Sequence, residues 1–374
     1  MVFSFTREPV VVPATLARII DAVPEIRTVT HLDPHEVYRG QVFHDGLLWE
    51  GHSAWTVDDY RIDVHDPDTL AVIASAPVPH TLEFLYPYAA GTILAVGKHF
   101  DERRGWLTYH STVRFDATPP SPRLRVRVRT MPRRLQVEQF GGSASAMWFN
   151  ETGSRKVFRW NGWWARPLRP EVHLPGAMIP SGRHLFVLER NDFRPGHETI
   201  ARIDTVTHAI ERSFPDPRRH LTMILDLEGL PWIAAPEAWA DQVLLVDKAT
   251  NRLAATLPVP GTPVAVARLG ECLVVFAAEA RQASFFDLGS DGFPLVARWD
   301  LTGLGNDFRF VRSMHVDPHG GRLFLRSPFH PRISGNTPAV RVAIDPDGAT
   351  LARCTGRSVR PTSPRPRGAE HAGA

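Results

Sequence analysis

Two sequence markers each recur seven times along the 374-residue chain and stay in step with one another. The first is a turn glycine followed by a short apolar run, as in GLLWEG, TILAVG and CLVVFAA. These glycines are Gly46, Gly91, Gly142, Gly182, Gly229, Gly270 and Gly321, spaced 45, 51, 40, 47, 41 and 51 residues apart. The second is an acidic or amide residue closing a further apolar run: Asp66, Asp116, Asn161, Asp204, Asp247, Asp287 and Asp345. Asp and Asn suit a tight hairpin because their side chains bond the backbone two residues on. Each period holds about four short strands. Such a unit repeated every 40–50 residues predicts a seven-bladed β-propeller of four-stranded antiparallel blades, an all-β fold, over residues 38–355.

Composition narrows the alternatives. The 27 Gly and 33 Pro follow no triplet period, which excludes collagen, and 43% hydrophobic residues exclude wholesale disorder. A net charge of +3 is too balanced for a chain whose main partner is a polyanion, so nucleic acid is not expected. No apolar run reaches the roughly 18–20 residues that span a bilayer, so no membrane partner is expected. Cys272 and Cys354 are too few for a disulfide framework; they could form a single bridge, which is not the expectation, and Cys272, in ECLVVF, reads as a core residue. The expected setting is the reducing cytoplasm. Residues 1–37 read as an extension: a short helix in ATLARIIDAV, then IRTVTHL as a strand that could close the ring. The tail, residues 356–374, is Pro- and Arg-rich and expected to be disordered.

One stretch carries a resemblance. VLLVDKATNRLAATLPVPGTPVAVARLGECLVVFAA, residues 243–278, resembles the YVTN-type repeat of bacterial propellers through Asp247, Thr250, Asn251, Pro258, Val259, Gly261 and Pro263, with Pro260 inserted. RIDTVTHAIERSFP and VHDPDTLAVIASAPVP are weaker copies. The resemblance implies a propeller and no particular activity.

In a propeller, loops leading into the inner strands share one face with loops joining the second and third strands. The residues leading into the inner strands include His35, His80, Arg133, Arg134, His173, His220 and Arg312. Two chemistries follow. Neutral imidazoles converging from several blades could hold Fe, Zn or Mn, with His35, His80, His173 and His220 as ligands. Alternatively His80, Arg133, Arg134, His173, His220 and Arg312 form a ligand pocket, since guanidinium forks suit carboxylate or phosphate.

Two further features draw attention. PRLRVRVRTMPRR alternates Arg123, Arg125, Arg127 and Arg129 with Leu124, Val126 and Val128, which sets four guanidiniums on one side of a strand. Protection of a free sheet edge is the expected use of that stripe; gripping an acidic partner or a phosphate backbone is the other. Trp160, Trp163 and Trp164 flank an Asn-Gly hairpin and are expected to pack between blades. No complete catalytic constellation is present. The reading is therefore a binding propeller, meeting a protein or small molecule at its loop face, with a metal-assisted enzyme at the channel mouth as the alternative.

Overall fold

The computed structural model describes residues 19–31, 36–54, 60–82, 84–101, 105–118, 121–130, 137–143, 146–151, 155–160, 165–173, 175–190, 198–214, 219–304, 311, 313–326, 340–345 and 347–356. The chain opens with β1 (Ile20–Ala22) and β2 (Ile26–His31). Blade 1 is β3 (Glu36–His44), β4 (Leu47–Ala54), β5 (Tyr60–His65) and β6 (Val72–Val78). Blade 2 is β7 (Phe84–Ala89), β8 (Thr92–Asp101), β9 (Gly105–Asp116) and β10 (Arg123–Thr130). Blade 3 is β11 (Val137–Ser143), β12 (Ala146–Glu151), β13 (Val157–Trp160) and β14 (Ala165–Pro167). Blade 4 is β15 (Pro175–Ser181), β16 (His184–Glu189), β17 (Thr199–Asp204) and β18 (Ile210–Arg212). Blade 5 is β19 (Leu225–Asp226), β20 (Trp232–Glu237), β21 (Gln242–Asp247) and β22 (Leu253–Pro258). Blade 6 is β23 (Pro263–Leu269), β24 (Cys272–Ala277), β25 (Gln282–Asp287) and β26 (Leu295–Asp300). Blade 7 has β27 (Ser313–Val316), β28 (Leu323–Arg326) and β29 (Val340–Ile344), and a helix α1 (Gly348–Thr355) follows.

Both periodic markers act as the sequence predicts. All seven turn glycines have positive φ, from 56° to 119°, a region that a Cβ makes costly. The Asp side chains fold the next turn: Oδ1 of Asp66 accepts from the amides of Asp68 and Thr69, Asp204 from Val206 and Thr207, and Asp247 from Thr250. Asn161, Trp163 and Trp164 lie outside the described residues.

The two ends of the chain meet at blades 6 and 7. β2 pairs antiparallel with β29, Ile26 opposite Ile344, and supplies the fourth strand of blade 7. The seventh sheet is thus built from both ends, so its pairing ties first residues to last. β1 adds in parallel to β26, Ile20 opposite Ala297, and makes blade 6 five-stranded rather than four. This corrects the helical reading of ATLARIIDAV at its end: Ile20–Ala22 is a strand, because an open sheet edge is a stronger partner than three apolar residues at helical spacing. Its earlier residues, 14–18, lie outside the described residues.

A second correction concerns the cysteines. Cys272 and Cys354 form a disulfide across 82 residues of sequence, with Cα atoms 5.1 Å apart. Cys272 is indeed core, but α1 brings Cys354 onto it. The helix starts where Asp347 accepts from the amides of Ala349 and Thr350 and ends at Gly356, φ 65°. Trp299 of β26 donates its indole N–H toward Asp347 Oδ2 and Thr350 Oγ1, 3.0 and 3.1 Å away. The expected tail reduces, among the described residues, to that capping glycine; residues 357–374 lie outside them.

Apolar side chains fill the seams between blades. The seam of blades 6 and 7 gathers Leu269, Val274, Phe276, Phe285, Trp299 and Leu325, and that of blades 1 and 2 gathers Trp49, Ile62, Val64, Leu82 and Ile93. The seam that closes the ring, between blades 7 and 1, holds much less. Among the described residues its buried apolar cluster is Leu48, Phe324 and Ala343, with Phe43 stacked on Phe324 at 5.8 Å.

Candidate functional site

At the closing seam polar residues take the place of apolar ones. Trp49 and Val64 point toward blade 2, so by strand alternation Glu50, His52, Asp63 and His65 turn the other way with Leu48. All four are buried, as is Gln41 on β3. Gln41 Nε2 donates to Glu50 Oε1 at 2.9 Å. A guanidinium only donates, so the 3.5 Å approach of Arg61 to His52 Nδ1 puts the His52 proton on Nε2, facing Asp63 Oδ2 at 3.0 Å. Ser75 donates to Asp63 Oδ1 at 2.6 Å. Asp63 is held well below the usual carboxylate range: burial alone would raise it, but the His52 contact, Ser75 and Arg61 together outweigh that.

His65 completes the cluster. Its Nδ1 lies 3.1 Å from the carbonyl of Leu70 and must donate to it. Its Nε2 then faces Glu50 Oε2 at 3.3 Å, a contact that is favourable with a proton or a metal cation between the two. Glu50, His52 and His65 each offer a ligand atom within 4.8 Å of the others, and two imidazoles with one carboxylate are a donor set for Zn or Fe. Arg322 of blade 7 reaches across the same seam, bonding the carbonyl of Pro67 and pairing with Asp68.

The histidines expected at the channel mouth part company. His80 has no exposed surface; its ring bonds Ser111 Oγ and the Thr81 carbonyl, both at 2.7 Å, inside blade 2. It belongs to the blade core and not, as its loop position suggested, to the rim. The backbone there is so close that a Cβ on Gly97 would stand 1.4 Å from the Thr81 carbonyl oxygen, so only glycine fits. His173 is exposed, and its amide donates to Glu189, which Arg212 also grips through two bonds. His220 is half-buried on the rim. Among the described residues His80, His173 and His220 form no group with metal-ligand spacing. His35, Arg133, Arg134 and Arg312 lie outside the described residues.

The best-built part of the loop face is at blades 4 and 5. Trp239, in the turn between β20 and β21, is 65% exposed and stacks on His220, ring centroids 4.9 Å apart. His220 Nδ1 is 3.5 Å from buried Glu198. Arg219 lies 4.8 Å over the Phe214 ring and bonds Glu237 Oε2 at 2.7 Å, where Gln242 also donates. Sequence reasoning missed Trp239. No sequence signal singled it out, since the corresponding connections of other blades also carry aromatics, Trp55, Phe193 and Phe329, and exposure depends on packing.

The arginine stripe has a definite place. β10 is the outermost strand of blade 2, and Leu124 and Val126 pack toward blade 1. Arg125, Arg127 and Arg129 face the other way and, with Arg114 of β9, line a cavity of about 470 Å³. His110 is in its wall, edge-on to Trp160 at 4.5 Å. Burial, then the charges of Arg129 and His80, push the His110 imidazole down to about 4. A histidine depressed below its unfolded value adds stability that is complete above about pH 6.5 and lost as pH falls toward 4. Going from pH 7.5 to 5 should therefore cost on the order of 2 kcal/mol through His110. Urea denaturation of the wild type and His110→Gln at both pH values tests it: the wild type should lose more stability than the variant, and equal losses would refute the assignment. Asp63 acts only below about pH 4 and His184, also lowered by burial, is common to both proteins.

No family model matches the chain and no curated protein matches it in sequence. Among solved structures it is similar to the WD40 repeats of RRP9, at 12% identity and a TM-score of 0.58, covering 87% of this chain and 99% of that one. It is similar to U3-55K at 13% identity and a TM-score of 0.57, covering 86% and 100%. Among the described residues no helix is long and apolar enough to cross a membrane. At this identity the likeness carries the fold alone: the chain is a seven-bladed β-propeller.

Proposed function

We propose that this propeller is a binding module whose loop face recognises a protein partner, with Trp239 as the anchor. The carrying observation is the exposed indole stacked on His220. Large aromatics exposed on a rigid support dominate interface energetics because they bury much area at little entropic cost. The support here is rigid: Glu198, Glu237, Arg219 and Gln242 tie the loops of blades 4 and 5 together. His173 stands on the same rim, and Arg133, Arg134 and Arg312 remain the sequence-based candidates for its positive groups. One of the two similar structures is named as WD40 repeats, and that likeness supports a platform role by analogy only. The YVTN-type sequence of residues 243–278 supports the architecture and leaves the partner to the rim. The Cys272–Cys354 bridge favours an oxidising compartment over the cytoplasm expected from the cysteine count.

Affinity capture with matched wild-type and Trp239→Ala proteins tests the reading. The variant should melt within about 1 °C of the wild type, since an exposed side chain stabilises little. It should lose a partner that the wild type retains, by tenfold or more. An unchanged partner set would end the loop-face proposal.

The second reading, a metal-dependent role, is favoured by one observation: the 4.8 Å grouping of Glu50, His52 and His65. The group is buried at the blade seam, so a metal there would act chiefly as a structural pin.

A further inference from the structure

We propose that the groove beside β10 is a second ligand site, taking a phosphorylated small molecule with a flat or apolar body. Four observations carry it. First, the stripe is one-sided. Leu124 and Val126 pack on blade 1, which anchors the strand, while Arg125, Arg127 and Arg129 stand on the opposite side. Alternate residues on a strand are about 6.8 Å apart, a spacing that lets successive guanidiniums address neighbouring oxyanions of one ligand.

Second, the charge exceeds what edge protection needs. Arg114 is on β9, which is not an edge, and it sits directly opposite Arg125 in the strand register. Like charges directly opposite destabilise a strand pair. Asp116 compensates Arg123 and Arg125, at 3.5 and 2.7 Å, whereas neither Arg114 nor Arg127 has a carboxylate within 4.0 Å among the described residues. An arrangement that costs stability in the free protein is repaid when an anion fills it.

Third, the groove has room. β9 and β10 run twelve and eight residues, but the outer strand of the neighbouring blade, β14, has only three. Among the described residues the outer part of this side of blade 2 is therefore lined and not covered, giving a cavity of about 470 Å³, the size of a nucleotide-scale ligand site. Fourth, the lining is divided. Half-buried Tyr88, with the edge of the largely buried Trp160, offers aromatic surface, while the arginines and Thr112 supply donors. A purely ionic partner would leave the first part unused, and an apolar one would leave the guanidiniums unmatched.

Calorimetric titration with ADP, inorganic pyrophosphate and adenosine tests the proposal on the full chain. ADP should bind, pyrophosphate should bind more weakly, and adenosine should not bind measurably. Raising the salt from 50 to 500 mM should weaken ADP, because exposed charges are screened. The double variant Arg114→Ala/Arg127→Ala leaves the Asp116 pairs intact and should weaken ADP by at least about tenfold, the loss expected for charge-assisted hydrogen bonds. Its melting curve checks that it folds. If it does not fold, competition between ADP and pyrophosphate on the wild type takes its place, and must be mutual. Absence of ADP binding, or binding indifferent to the double variant, overturns the proposal. So does binding of a single-stranded oligonucleotide or an acidic peptide at this groove without ADP. Faster aggregation of the variant with undiminished ADP binding returns the stripe to edge protection.

Discussion

Replacing Cys354 by Ser, or reducing the bridge, should destabilise the propeller by about 4–5 kcal/mol. The figure follows from loop-closure entropy: a cross-link over 82 residues removes that much freedom from the unfolded chain. For a domain of this size that is a fall in melting temperature of about 5–8 °C. Both cysteines are fully buried, so reductant should act slowly on the native state and quickly once the chain opens. The helix α1 should not fall away completely in Cys354→Ser. Its Asp347 cap and the Trp299 contacts remain, and the amide of Glu271 still donates to the Cys354 carbonyl position at 2.8 Å. Thermal melts with and without reductant, for wild type and variant, decide the matter. If the wild type melts at the same temperature under both conditions, with the thiols shown to be free in one, the bridge contributes nothing.

The second large effect is expected at the closing seam. Glu50→Ala should cost about 3–5 kcal/mol, the range for removing one partner of a buried ionic group. Glu50 has no exposed surface, and without it Gln41 Nε2 loses its acceptor and His65 Nε2 the carboxylate it faces. The paired change Glu50→Leu/His65→Leu should recover part of the loss, since apolar residues of similar size can replace a buried ionic pair at little cost. Chemical denaturation measures both. A Glu50→Ala protein as stable as wild type would show that the carboxylate is not held as described. Elemental analysis of the same preparations addresses the metal reading: one Zn, Fe or Mn per chain in the wild type, gone in His65→Ala, makes the cluster a metal centre. A metal-free wild type leaves it an ionic pin.

These two positions also mark where reading the residues succeeds and where it stops. The seven glycines and the Asp turns specify local backbone geometry, positive φ and side-chain-to-amide hydrogen bonds, and such constraints act within a few residues. Repeated in step, they determine the number of blades and the order of strands within each. The alternation in β10 likewise predicted which residues share a side. None of this reaches across the ring. The disulfide depends on α1 returning to blade 6, and the polar cluster on blade 1 meeting blade 7, contacts between residues up to 255 positions apart. His80 illustrates the same limit. Its place in a loop suggested the rim, but Gly97 lets the backbone approach closely enough to seal the imbalance of a buried imidazole with Ser111. Trp239 is exposed on its turn, and among the described residues the arginine groove is left uncovered by the short β14. The sequence by itself determined the repeat, the blade and the pleat, because those follow from local backbone preference and period. Only the tertiary structure decided which polar groups are buried, which arginines share a cavity and where the chain is clasped, because burial is set by what packs from the next blade.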